Sequence, residues 1–118
     1  MRISEIDNTA LDRWVAKAEG IEVRYSNAGE FWRVLGEIDE IHWLPHRDWA
    51  QAGPIIEREK IAVFPYGDQW SAAIGNDVKN LIGKTDAAEP EYIGSTPLIA
   101  AMRCYIAHRF STEELENN

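Results

Sequence analysis

Apolar residues recur at three- and four-residue intervals over Leu11, Trp14, Val15 and Ala18, the spacing of one buried helix face. Thr9 stands where a helix cap is wanted, and Asp12 three residues on suits the positive end of the helix dipole. Gly20 is placed to stop the helix in the left-handed conformation. The pattern then changes period. Ile21, Val23 and Tyr25 alternate with Glu22, Arg24 and Ser26, which predicts a strand with one wet face. A turn over 27–30 returns the chain as a second strand over 31–35, broken by Gly36. A wider turn leads to a third short strand over 41–44, stopped by Pro45.

Further on, 61–64 reads as a strand, Pro65-Tyr-Gly-Asp68 as a turn and 69–74 as its hairpin partner. Residues 75–95 are irregular. Val78, Leu81 and Ile82 allow one or two helical turns ending at Gly83, and the whole stretch reads as a flexible loop. Thr96 or Ser95 caps a last helix, with Pro97 at its first position, where a missing N–H costs nothing. Leu98, Ile99, Met102, Tyr105, Ile106 and Phe110 form its large apolar face. Ala100, Cys104 and Ala107 form a second face of small residues, open to close approach from within the domain or from a second subunit. The tail 111–118 is acidic and expected to fray. Together these elements predict one α+β domain over 1–118, a small antiparallel sheet packed against an N-terminal and a C-terminal helix.

Composition narrows the function classes. The chain has 118 residues, 45 % of them apolar, which is globular composition and enough for a core. A single cysteine rules out an internal disulfide and suits a reducing cytoplasm. No apolar run is long enough to span a membrane, and the polar start does not read as a secretory signal. The net charge of −8 disfavours bulk nucleic-acid binding, which needs clustered cations on phosphates. It leaves room for one small phosphorylated ligand held by a local pair of arginines.

The densest chemistry lies between Trp43 and Trp70. Trp43, Trp49, Phe64, Tyr66 and Trp70 are interleaved with His46, Arg47, Asp48 and Arg58. Aromatic faces stack on planar rings, and guanidinium groups fork onto phosphate or carboxylate oxygens. A helix beginning at Asp48 or Gly53 aims backbone N–H groups at the same region. The candidate ligand-binding set is therefore Trp43, His46, Arg47, Asp48, Trp49, Arg58 and Trp70. The competing reading is that these tryptophans simply fill the core. His42, His46 and Asp48 have the donor types for zinc, but Pro45 separates the histidines and the ligand count is short. Cys104, mid-helix among small residues, reads as packing rather than as a nucleophile. Arg58 beside Glu57 and Glu59 reads as a solvated helix end bridged to a neighbouring acid. No phosphate-binding glycine loop, nucleophile elbow or metalloprotease motif is present, so no cofactor is implied and an enzyme is the weaker class.

Asp48-Trp-Ala-Gln-Ala-Gly-Pro-Ile-Ile-Glu-Arg-Glu59, then Ile61, Val63, Pro65 and Trp70, then Thr96-Pro-Leu-Ile-Ala-Ala-Met-Arg-Cys-Tyr-Ile-Ala107, resemble the NinX-like family of small bacteriophage proteins. The opening Leu11-Asp-Arg-Trp-Val-Ala-Lys-Ala18 fits the same pattern. The sequence departs from it at His46-Arg47, where a small polar pair is expected, and at Ala52, where glycine is expected. The resemblance implies a phage accessory protein in the cytoplasm of an infected or lysogenic bacterium, and it brings no established activity. Three functions stay open. One is non-enzymatic binding of a small nucleotide-like ligand, sequestering a host anti-phage defence signal. Another is docking on a host or phage protein, with a homo-oligomer through the C-terminal helix. The third is a small hydrolase or metal enzyme using His42, His46, Asp48 or Glu57.

Overall fold

A computed structural model describes residues 3–75 and 92–116. After a 3-10 turn at Ile3–Glu5 come α1 (Asn8–Glu19), β1 (Val23–Tyr25), β2 (Phe31–Val34) and β3 (Glu40–His42). Then follow α2 (Trp49–Glu59), β4 (Ile61–Tyr66), β5 (Gln69–Ile74), β6 (Ile93–Gly94), α3 (Pro97–Arg109) and α4 (Thr112–Glu116). The fold is α+β as expected, but the strands form two antiparallel three-stranded sheets, ordered β1-β2-β3 and β4-β5-β6. The turns read between Val78 and Gly83, and most of the 75–95 loop, lie outside the described residues.

Helix α3 is the centre of the molecule. Leu98, Ile99, Ala100, Ala101, Met102, Cys104, Tyr105 and Ile106 are all buried, so apolar side chains surround almost its whole circumference. Sheet β4-β5-β6, α1 and α2 cover it. The small-residue face at Ala100 and Cys104 is thus filled from within the chain. Arg103 interrupts the apolar surface usefully. Its guanidinium donates to the carbonyls of Ile93 (2.7 Å) and Ile6 (3.1 Å), tying β6 to the N-terminal turn, and burial pulls its pKa down. At the far end of the helix, the Trp14 and Phe110 rings meet at 4.8 Å beneath the Lys17 ammonium.

Several local signals work as read. Gly20 closes α1 at φ 67°, Asp48 caps α2, and the Thr96 hydroxyl accepts the Ile99 N–H ahead of Pro97. Others differ for clear reasons. Asp7, not Thr9, caps α1, because its carboxylate reaches the Ala10 N–H at 2.8 Å. β4 runs through Pro65, and only Gly67 and Asp68 remain as the hairpin loop, with Gly67 at the positive φ such a turn demands. The tail begins with a capping box: the Glu114 N–H donates to the Ser111 hydroxyl, and the Ser111 N–H to the Glu114 carboxylate. This starts α4 and lets Leu115 bury against the core.

Gly94 marks a close approach between β6 and α3. A Cβ there would stand 2.6 Å from the Ala100 nitrogen and 2.7 Å from Ile99 Cγ2, so only glycine lets β6 lie on the first turn of α3. Gly94→Ala is expected to destabilise the protein by about 1–3 kcal/mol. The check is a lower urea midpoint with unchanged denaturant slope.

Candidate functional site

The connection between the two sheets is organised by Asp12. This aspartate lies on the buried side of α1 and is only 2 % exposed. Its Oδ1 accepts the His46 backbone N–H at 3.0 Å, and its Oδ2 lies 2.6 Å from His46 Nδ1. Its backbone carbonyl accepts the Trp43 indole N–H at 2.8 Å. Burial pushes the Asp12 carboxyl up to about 6, against the opposing pull of His46 and Arg47. From the other side, Gln51 in the first turn of α2 accepts the Leu44 N–H at 2.6 Å and donates to the His42 carbonyl at 2.5 Å. Residues 43–48 are therefore a braced frame.

That frame separates the seven residues read from sequence as one cluster. Trp43 is 2 % exposed and sealed in the core, so it offers no face to a ligand. An indole can be buried there because Asp12 satisfies its one donor. His46 is mostly buried on Asp12, and Arg47 is exposed beside it. Asp48 spends an oxygen on the Ala50 N–H at the start of α2, and Trp49, the first helical residue, is 56 % exposed. Arg58 lies nine residues further along α2, roughly 14 Å from Trp49 at the usual helical rise. Trp70, on β5, packs partly buried against the core.

Arg58 is committed elsewhere. It forks onto Glu19 at 3.0 and 2.6 Å, bonds Glu59 at 2.7 Å and reaches the Tyr105 hydroxyl at 3.3 Å. The bridge to a neighbouring acid is thus present, extended to α1 and α3. Tyr105 also donates to Glu19. Burial acts to raise the Glu19 pKa, but the hydrogen bonds from Arg58 and Tyr105 outweigh it and hold it low. Burial and the bond to Glu19 push the Tyr105 phenol up to about 12.

The other candidate groups are also engaged. His42 stacks on Trp32 with ring centroids 3.8 Å apart, and its Nε2 lies 2.8 Å from Glu30. Cys104 is fully buried, with His108 Nδ1 donating to its backbone carbonyl at 2.8 Å. Among the described residues no group of three or more His, Cys, Asp or Glu is placed to hold a metal ion.

An aromatic and cationic hollow does exist, at a different place. Asp7, Thr9, Ala10 and Arg13 of the first helix face Tyr25 and Phe31 of the first sheet across an open space of about 540 Å³. Phe31 is nearly buried and forms the base, and Tyr25, 61 % exposed, forms the wall. Their ring centroids are 5.0 Å apart and tilted by 55°. Arg13 is exposed and makes no ion pair among the described residues, unlike Arg24 and Arg58. Asp7 uses one oxygen as the helix cap. A ring, a free cation and a carboxylate thus face one space.

The sequence reading gives Asp12 a helix-dipole role and Tyr25 a strand position, and assigns neither of them nor Arg13 to a site; Asp12 instead pairs with His46. Asp12 sits between Leu11 and Trp14, both buried, and a carboxylate set in an apolar face signals a buried partner. The pairing of Tyr25 with Arg13 depends on how α1 crosses the sheet, which no local pattern encodes.

The family model described as bacteriophage P22, NinX matches residues 2–109, which include both the Asp12 frame and the hollow. No curated protein matches the chain significantly.

The Asp12 frame has a pH signature. A carboxyl whose pKa is higher in the fold than in the unfolded chain stabilises the fold in its protonated form. That contribution is complete below the ordinary value of 3.8 and is lost as the pH rises through 6. Over this window the wild type should lose up to about 3 kcal/mol of stability relative to Asp12→Asn. Urea midpoints of both proteins between pH 4 and 7 test this, and parallel curves would refute it.

Proposed function

Because this chain belongs to the bacteriophage P22 NinX family, and so is a phage accessory protein, we propose that it binds a small nucleotide-like ligand without transforming it. The observation that carries the reading is the hollow between α1 and the first sheet. Its Tyr25 face suits stacking on a planar ring, a contact that contributes about 1–3 kcal/mol per base in nucleic-acid complexes. The guanidinium of Arg13, without an ion pair among the described residues, suits a phosphate. The Asp7 oxygen left over from capping suits amino or imino donors on a base edge. Asp7 and Arg13 are six residues apart, on the order of 9 Å along the helix axis. A nucleotide covers that span from base edge to phosphate. With a net charge of −8, a single compact ligand fits better than a polymer of phosphates. Binding without turnover accords with sequestering a defence signal in the cytoplasm of an infected or lysogenic host.

One observation favours a second reading, acid–base catalysis at His46. The Asp12 carboxylate orients the ring through Nδ1, an arrangement that hydrolases use. The ring, cation and carboxylate that face one hollow favour binding over this reading.

Thermal denaturation with a panel of nucleotides, cyclic nucleotides and ADP-ribose derivatives tests the proposal. A ligand at a hundred times its Kd adds about 2.7 kcal/mol of stability and raises Tm by several degrees. Tyr25→Ala and Arg13→Ala should abolish the shift, while each changes unliganded stability by no more than about 0.5 kcal/mol, since both side chains are exposed. Loss of the shift in Arg47→Ala and Trp49→Ala instead would move the site to the 43–49 frame. Silence across the panel would sink ligand binding, and hydrolysis abolished by His46→Ala would favour the second reading.

A further inference from the structure

β4 is an outer strand of its sheet, and its six residues Ile61–Tyr66 carry no charge. The ladder fixes which way its backbone faces. Ala72 donates its N–H to Tyr92 on the β6 side, at 3.1 Å. Strand alternation then turns the backbones of Ser71 and Ala73 toward β4. Their register partners Phe64 and Ala62 bond inward, so Ile61, Val63 and Pro65 present their backbone groups outward. Among the described residues, nothing bonds to those outward groups. Natural sheets blunt such edges with lysines, prolines, inward charges, bulges or covering segments. β4 has only Pro65, at an outward position, where its missing N–H removes no bond to β5.

We propose that β4 pairs with β4 of a second copy of this chain, antiparallel about a two-fold axis at Val63, joining two three-stranded sheets into one of six strands. The strand is complementary to itself in that register. Val63 exchanges two backbone hydrogen bonds with the second copy's Val63. The N–H of Ile61 meets the carbonyl of the second copy's Pro65, and the same contact recurs across the axis. Pro65 accepts from Ile61 but has no N–H to return, so the Ile61 carbonyl finds no donor on the second copy's strand. Phe64 falls opposite the second copy's Ala62, large against small, on both sides of the axis. Lys60 falls opposite Tyr66, so no like charges meet along the seam. Such a contact uses one patch twice, as two-fold dimers do. It places the oligomer contact at the β4 edge rather than on α3, where Ala100 and Cys104 are buried within the chain and Ala107 is half-buried.

Sedimentation equilibrium from micromolar to millimolar chain, with amide hydrogen exchange at both ends of the range, tests the pairing. The mass should rise from 13.4 kDa toward twice that value. The Val63 amide should exchange at least about tenfold more slowly at high than at low concentration, while the Phe64 amide stays protected at both. Val63→Pro removes no bond to β5 and should hold the mass at one chain with unchanged far-ultraviolet circular dichroism. If that variant fails to fold, exchange at Val63 in the wild type still decides. One chain mass throughout the range overturns the proposal. So does a dimer in which Val63 exchanges equally fast at both concentrations, or one that survives Val63→Pro.

Discussion

A single buried carboxylate holds the first sheet to the helical body. Taking Asp12 out of water is unfavourable unless its oxygens find donors, and both do, on the backbone and ring of His46. The same residue's carbonyl satisfies the indole of Trp43, which lets a large side chain disappear into the core. A three-stranded sheet of three- and four-residue strands is marginal by itself. Anchored through Trp43 and Phe31, it becomes part of the domain. The hollow beside α1 inherits its rigidity from that anchor, because Phe31 at its base gives its carbonyl to the Trp43 N–H at 2.9 Å.

Much of the architecture was readable where a local chemical rule decides it. Gly20, Asp48 and the Thr96-Pro97 pair each sit at a helix end, and each does what its side chain or backbone freedom predicts. The misreadings came from rules in competition. Thr9 and Asp7 are both good caps, and the choice depends on where the chain leaves the 3-10 turn. Pro65 reads as a strand breaker until its outward position is known, after which it is harmless. Ser111 and Glu114 form a legible capping box, but an acidic tail draws attention to its charge first.

The candidate site was less legible, for a physical reason. The sequence places aromatic rings beside Arg47 and Arg58 over 43–70, whereas the rings that share a hollow with a guanidinium in the fold are Tyr25 and Phe31, with Arg13. Which rings take part is set by strand parity and by satisfied donors. Trp43, Trp49 and Trp70 share a residue type and have three different environments: sealed, exposed and half-covered. Arg47 and Arg58 likewise look equivalent in sequence, yet Arg58 is tied to Glu19 and Glu59. Aromatic density in a sequence therefore measures the supply of rings and leaves their assignment to tertiary contacts.

The distribution of apolar surface favours the strands over the helices as contact regions. α3 is buried almost all round, so the most apolar helix has little face left for a partner. Of the five large hydrophobic side chains exposed among the described residues, Tyr25, Leu35, Ile38 and Ile41 belong to the first sheet and its turn, and only Trp49 lies on a helix. Uncovered apolar surface on that scale is the kind that marks a contact region. A helix-centred core thus fixes the frame, and among the described residues the ring-lined hollow and the uncharged β4 edge keep polar groups that no other described residue satisfies.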